Sequence, residues 1–288
     1  MTTSAFEYHA PTSVAEAAEL LAKFGGDARL LAGGHSLVPL MKLRLVQPQV
    51  LIDLGKIPSM AYIHEKDGGL AIGAMTTYAQ LASSDLVKSR APALAEAAGE
   101  VADSSVRNKG TIGGSLSHAD PAGDLSAIVL ALGAELTTSS TGEHRTTSID
   151  GFFIDLFTTS LLPTEILSEI SIPAPAPRTG SAYTKFANKA SHYAIVGVAV
   201  SVTLGSTGDC ESARIGVTGA GPKAVRATAA EEILRGSMLD DSTILRAAQA
   251  AGAGIEFNDD IHASAEYRGH LTAVYAGRAI RAALSRTT

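Results

Sequence analysis

The 288-residue sequence predicts an α+β fold, and three observations predict it. Helical and strand patterns alternate over about the first 55 residues, as in a small α/β unit. Residues 173–180 hold Pro173, Pro175, Pro177 and Gly180, a composition that reads as a linker. Beyond it the strand patterns come first and the helical patterns follow, the arrangement of a separate α+β domain.

The elements follow in order. Ser13 and Glu16 have the spacing of a capping box, Val14, Ala17, Ala18 and Leu21 share one face, and Gly25 and Gly26 stop the helix. Residues 28–31 read as a strand, 37–45 as a helix and 50–54 as a second strand. Residues 61–72 read as two strands joined at Asp67, Gly68 and Gly69, a hairpin signal. Helices are expected at 78–81, at 91–102 and near 125–132, with two strands around 139–143. After the linker, 183–187, 193–204 and 211–217 read as antiparallel strands, and 224–234, 242–251 and 265–285 as helices.

Composition narrows the function. Hydrophobic residues are 45% and charged residues 18%, which fits a packed globular chain. A net charge of -6 leaves no basic excess for phosphate neutralisation, so a general nucleic-acid binder is not expected. Cys210 stands alone, so neither an internal disulfide nor an iron–sulfur cluster is expected in this chain. The first ten residues lack a basic flank and an apolar run, and the longest apolar stretch, 194–204, is short for a membrane span. A cytoplasmic protein is expected.

Two glycine-rich segments carry the chemistry. The first is Ala32, Gly33, Gly34, His35 and Ser36; the second runs from Gly110 through Thr111, Ile112, Gly113 and Gly114 to Ser115. Glycine lets backbone approach a ligand closely, and successive amides in a turn form an anion site. A tight turn without a ligand is the other reading of each. Together the two can clasp the two phosphates of a dinucleotide. Neither is the G-x-G-x-x-G fingerprint of a nicotinamide fold, and no P-loop is present.

With their flanks these segments resemble a known family. Residues 32–37 end on Leu37 and are followed by Met41, Lys42 and then Leu51, Ile52, Asp53, Leu54. The second match runs from Arg107 through residues 110–115 to Ala119, Asp120, Pro121, Gly123, Asp124 and Leu125. Gly73, Ala74, Met75, Thr76, Thr77 and the later Ala265, Glu266, Tyr267, Arg268 extend the likeness over nearly the whole chain. In these residues the sequence resembles the FAD-binding medium subunits of molybdenum hydroxylases, of the aerobic carbon monoxide dehydrogenase type.

That resemblance implies a two-subdomain FAD-binding domain of the vanillyl-alcohol-oxidase type, at 1–176 with subdomains of about 1–55 and 56–176. A smaller α+β C-terminal flavoprotein domain would occupy 177–288. FAD would bind non-covalently, its pyrophosphate held by Ala32, Gly33, Gly34, His35 and Ser36 together with Thr111, Gly113, Gly114 and Ser115, with Leu37 also at the cofactor. Val101 and Ala102 would border the adenosine end, Asp124 would be a polar contact, and Lys185 would join the cofactor site from the C-terminal domain. Tyr193 would cover the isoalloxazine ring. Serine stands at 115 where many relatives carry asparagine, which shortens the reach of that side chain.

The resemblance also implies an electron-transfer role. Electrons would arrive from a small iron–sulfur subunit, fed by a large molybdenum-cofactor subunit, and leave to a quinone or similar carrier. The assembly would be a dimer of heterotrimers, with peripheral association to a membrane quinone-reducing system. Two readings compete: a stand-alone flavin-dependent oxidase or dehydrogenase, and an assembly subunit that has lost its flavin. No catalytic residue and no metal ligand is expected in this chain. His118, Asp120 and Asp124 are close in sequence, but carboxylates after a glycine turn are more often helix caps. Cys210 reads as inert.

Overall fold

The computed structural model describes residues 2–287. The first unit contains β1 (Glu7–His9), α1 (Val14–Phe24), β2 (Ala28–Leu31), α2 (Leu37–Lys42) and β3 (Val50–Asp53). Its strands form a parallel sheet in the order β1-β3-β2. The Ser13 hydroxyl caps α1 by accepting the Glu16 amide at 3.1 Å. The Glu16 carboxylate turns instead to the Thr12 amide at 2.8 Å, so the expected capping box closes on one side only. Helix α2 stops at Lys42, short of the expected 45, and Arg44 adopts a positive φ of 59°.

The second unit runs through β4 (Ile63–Lys66), β5 (Gly69–Gly73), α3 (Tyr78–Ser83), α4 (Asp85–Arg90), α5 (Pro92–Glu100), α6 (Ser104–Arg107) and α7 (Ile112–His118). It continues through α8 (Asp124–Leu132), β6 (Glu135–Ser140), β7 (Glu143–Ser148), the short pair β8 (Phe153–Asp155) and β9 (Thr158–Thr159), and β10 (Ile166–Ile172). An antiparallel sheet forms in the order β4-β5-β10-β6-β7. Asp67 and Gly68 both have positive φ, 51° and 78°, as a two-residue hairpin turn demands. The central strand of this sheet, β10, is absent from the sequence reading, although Ile166, Ile170 and Ile172 are buried.

The third unit is a four-stranded antiparallel meander of β11 (Thr179–Ala187), β12 (Ala194–Leu204), β13 (Cys210–Thr218) and β14 (Val225–Arg226). Helices α9 (Thr228–Leu234), α10 (Asp241–Ala250) and α11 (Ala265–Leu284) follow it. The helix expected at 224–234 begins later, because Val225 and Arg226 pair with β13.

Helix α8 joins the units. Its residues from Asp124 to Ala131 are all buried, as expected of a helix that is apolar nearly all round. It packs on β12 and β13 and against α5. Asp150 fastens the same junction, accepting from Arg214 at 2.7 Å and from Arg226 at 3.2 Å. Thr218 adds hydrogen bonds from its hydroxyl to the carbonyls of Pro121 and Gly123. The loop after α7 is thereby fixed to the third unit.

Candidate functional site

The two glycine segments meet. A Cβ added to Gly33 would lie 2.1 Å from the carbonyl oxygen of Lys109, so only glycine permits this backbone approach. Gly34 follows at φ +72°, a left-handed conformation that costs a residue with a Cβ. Among the described residues, the amides of Gly34, His35 and Ser36 find no protein acceptor. The segment is half-exposed, and the exposed His35 ring turns back to put Nδ1 2.8 Å from the Gly33 carbonyl. This is an open row of donors on a turn held in place from behind.

The second segment is not a turn. Thr111 is the N-cap of α7, and Gly113, Gly114 and Ser115 lie within the helix. Its first amides are all used. Ile112 donates to the Thr76 carbonyl at 3.0 Å and Gly113 to that of Ala74 at 2.8 Å. Gly114 donates to the Thr111 hydroxyl at 3.1 Å and Ser115 to the Thr111 carbonyl at 3.0 Å. Residues 73–77 therefore brace α7, and the Thr111 hydroxyl keeps its own hydrogen free to donate.

Val101 and Ala102 form the bend after α5, with Ala102 at φ +41°. Arg107 holds that bend, donating to the carbonyls of Val101 at 2.9 Å and Ala102 at 2.8 Å. Asp124 and Lys185 face each other, their side chains 6% and 5% exposed. The Lys185 ammonium donates to Asp124 Oδ2 at 3.2 Å, to the Glu100 carbonyl at 2.9 Å and to the His192 carbonyl at 2.9 Å. Tyr183 donates its hydroxyl to Asp124 Oδ1 at 2.5 Å. Burial pushes the Asp124 carboxyl up, and the Lys185 charge opposes it. Burial and the Asp124 charge raise the Tyr183 phenol well above its usual value, so it stays a neutral donor.

Tyr193 stands 49% exposed after a tight loop at 188–193. Within it Asn188 Oδ1 accepts the amides of Ala190 at 2.9 Å and Ser191 at 3.3 Å, and His192 adopts φ +60°. Partial burial and the nearby Asp120 and Asp124 carboxylates raise the Tyr193 phenol. With Asp120, Pro121 and Arg268, Tyr193 lines a cavity of about 280 Å³.

The residues considered and set aside as a metal site each have other contacts. His118 lies against the Phe157 ring, centroids 5.0 Å apart, and Asp120 accepts the Ala122 amide at 2.9 Å. Asp124 is the first residue of α8 and is no cap; its partners are Lys185 and Tyr183. Cys210 is buried, and that burial pushes its thiol up to about 11.

Residues 4–175 match the family described as the FAD binding domain in molybdopterin dehydrogenase, and residues 181–283 match the CO dehydrogenase flavoprotein C-terminal domain. The chain belongs to this flavoprotein family. It is similar to the carbon monoxide dehydrogenase medium chain of Hydrogenophaga pseudoflava, 42% identical over 98% of each chain. It is also similar to the 6-hydroxypseudooxynicotine dehydrogenase complex subunit alpha of Paenarthrobacter nicotinovorans, 39% identical over 99% of this chain and 97% of that one. Among solved structures, a Hydrogenophaga pseudoflava carbon monoxide dehydrogenase that lacks the Mo-pyranopterin moiety superposes with a TM-score of 0.97, 43% identity and full coverage of both chains. The FAD-binding domain expected from the two motifs is therefore present.

Sequence reasoning named Asp124 and Lys185 but missed their companions Tyr183 and Glu100. A signal existed for Tyr183: it lies two residues before Lys185 on β11, and alternate strand residues share a face. Glu100 contributes a backbone carbonyl, which no residue type announces. Arg107 was seen as part of a motif, and the structure shows what it holds.

Proposed function

We propose that this chain is the FAD-binding electron-transfer subunit of a molybdenum hydroxylase complex of the carbon monoxide dehydrogenase type. The observation that carries the reading is the turn at residues 33–36, with the unpartnered amides of Gly34, His35 and Ser36 braced by Gly33 against Lys109. Such amides suit a pyrophosphate. FAD, when bound, supplies the redox chemistry, and the protein supplies binding and orientation.

In this reading Ala32, Gly33, Gly34, His35, Ser36 and Leu37 hold the pyrophosphate through backbone amides. Gly113 and Gly114 form the opposite wall, and the Thr111 and Ser115 hydroxyls add donors there. Val101 and Ala102 border the adenosine end, Asp124 and Lys185 flank the flavin side, and Tyr193 lies over the ring. The FAD-binding domain covers 1–176 and the C-terminal domain 177–288.

The partners are a small iron–sulfur subunit and a large molybdenum-cofactor subunit, and one cysteine in this chain cannot hold a cluster. The relatives' names support a substrate chosen elsewhere: subunits of complexes named for carbon monoxide and for 6-hydroxypseudooxynicotine are 42% and 39% identical to this chain. Carbon monoxide is the first substrate to test and a quinone the first acceptor. A cytoplasmic dimer of heterotrimers fits this role, and no helix among the described residues is long and apolar enough to cross a membrane.

The test is to purify the chain with its partner subunits and follow flavin absorbance by stopped flow. About one FAD per chain, released by acid, is expected, with substrate-driven bleaching only when both partners are present. Flavin that stays with the denatured chain, or bleaching by this subunit alone at the rate of the complex, would replace this reading with a stand-alone flavin oxidase or dehydrogenase.

A further inference from the structure

We infer that Lys185 is a positioning residue: it ties the loop before Tyr193 to the two segments flanking the cofactor site, and so sets where the Tyr193 ring stands. This rests on the flavin reading of the site. An ammonium has three hydrogens to donate. Those of Lys185 reach the Glu100 carbonyl, the Asp124 carboxylate and the His192 carbonyl, which leaves none for a cofactor oxygen. A charge on a side chain only 5% exposed must be paired in this way.

The three partners sit at informative places. Glu100 immediately precedes Val101 and Ala102, Asp124 opens α8, and His192 immediately precedes Tyr193. One nitrogen thereby indexes the adenosine-side bend, the flavin-side helix and the aromatic loop against one another. The sheet cannot do this alone. The β11–β12 ladder is regular from Thr179 to Phe186 and shifts register between Phe186 and Ala187, before the loop begins. Lys185, paired with Gly197, is on the regular part and so reaches from a fixed strand, past the register shift, to the loop that the Ala187–Ala194 pair and the Asn188 amide to Tyr193 carbonyl bond close. Beyond the loop's internal bonds, one further tie is the 3.2 Å contact of Asn188 Nδ2 with His262 Nδ1 at its other end.

A bland alternative is that Lys185 only neutralises Asp124. The experiment compares Lys185→Met, Tyr193→Ala, Lys185→Met/Tyr193→Ala and Lys185→Met/Asp124→Asn in the assembled complex. Hydrogen exchange of the 188–193 amides is one readout; FAD dissociation and flavin visible circular dichroism are the others. Lys185→Met should speed loop exchange by at least about tenfold, the factor carried by one charge-assisted hydrogen bond. It should give the flavin dichroism of Tyr193→Ala, and the two changes together should weaken FAD binding no more than Tyr193→Ala alone. The loop should remain fast in Lys185→Met/Asp124→Asn. Loop exchange at the wild-type rate, additive losses of FAD, or full recovery with Asp124→Asn would each overturn the inference. If Lys185→Met does not assemble, Lys185→Gln keeps a donor and should show an intermediate loop rate; a wild-type rate there overturns it equally. Absence of FAD from the wild-type complex would instead refute the proposed function.

Discussion

Residues 32–36 and 111–115 each pair two adjacent glycines with a hydroxyl residue, yet the fold uses them differently. In the first, three amides point away from any protein acceptor, and Gly33 is glycine because Lys109 is directly behind it. In the second, every early amide of α7 is spent on Thr76, Ala74 or Thr111. The first segment leaves its amides open, and the second spends its own on neighbouring backbone and on the Thr111 side chain. Composition alone does not separate these arrangements, because both need small residues where backbones pack closely, Gly33 against Lys109 and Gly113 against Ala74.

The largest effect that would break this comparison is expected at Gly33. Gly33→Val places carbon where the Lys109 carbonyl already is, so both segments must move apart. We expect complete loss of FAD from the complex and a stability loss of about 3 kcal/mol, the upper range for overpacking, read by flavin absorbance and denaturant unfolding. FAD retention at wild-type occupancy would mean the segments need not touch for binding.

A loss of similar size without loss of FAD is expected far from the turn. Glu165 accepts from Arg145 Nε at 2.7 Å and from Arg145 Nη2 at 2.6 Å. Those bonds hold its carboxyl down at about 2, against an ordinary 4.5. A depressed carboxyl contributes stability that is complete above about 4.5 and fades as pH falls toward about 2. Glu165→Gln should therefore cost about 3 kcal/mol at neutral pH, and the gap to wild type should close as unfolding is measured in increasing acid. Its FAD content at neutral pH should be unchanged. Parallel unfolding curves for the two proteins from pH 7 to about pH 2 would contradict the linkage.

Gly34→Ala carries a smaller cost. A φ of +72° with a Cβ costs about 1–2 kcal/mol, and the strain falls on the turn that presents the amides. FAD affinity should drop more than stability does. Thr111→Val is the complementary probe: it removes the cap on the Gly114 amide, worth about 1 kcal/mol. Stability should fall by that amount, and the loss of FAD affinity should be less than for Gly34→Ala. If titration of the complex with FAD ranks the two variants the other way round, α7 is the main ligand-binding segment and the comparison is reversed.

Local chemistry made much of the fold legible. The α1 face of Val14, Ala17, Ala18 and Leu21, the hairpin turn at Asp67 and Gly68, and the continuous apolar run of β12 are all local signals, and each element stands where the sequence placed it. Strand β10 was missed because Ser168, Glu169 and Ser171 break up its apolar residues; Glu169 is instead held by Tyr62 at 2.6 Å and Lys66 at 3.0 Å, partners over a hundred residues away. Helix α4 was missed because its 6 residues between Ser84 and Ala91 make fewer than two turns, too brief for periodicity to register.

For the site, the sequence by itself determined the candidates: the double glycines and their spacing can be read in order, and the family resemblance they carry added Asp124, Lys185 and Tyr193. Tertiary structure alone decided what each does. Whether a glycine amide is open depends on the carbonyl opposite it, and the carbonyls of Ala74 and Thr76 belong to a separate stretch of chain. Whether Lys185 meets a ligand depends on the Glu100 and His192 carbonyls, which every residue type carries alike. Backbone donors and acceptors leave no mark in the sequence, so their pairing is known only when the chain has folded.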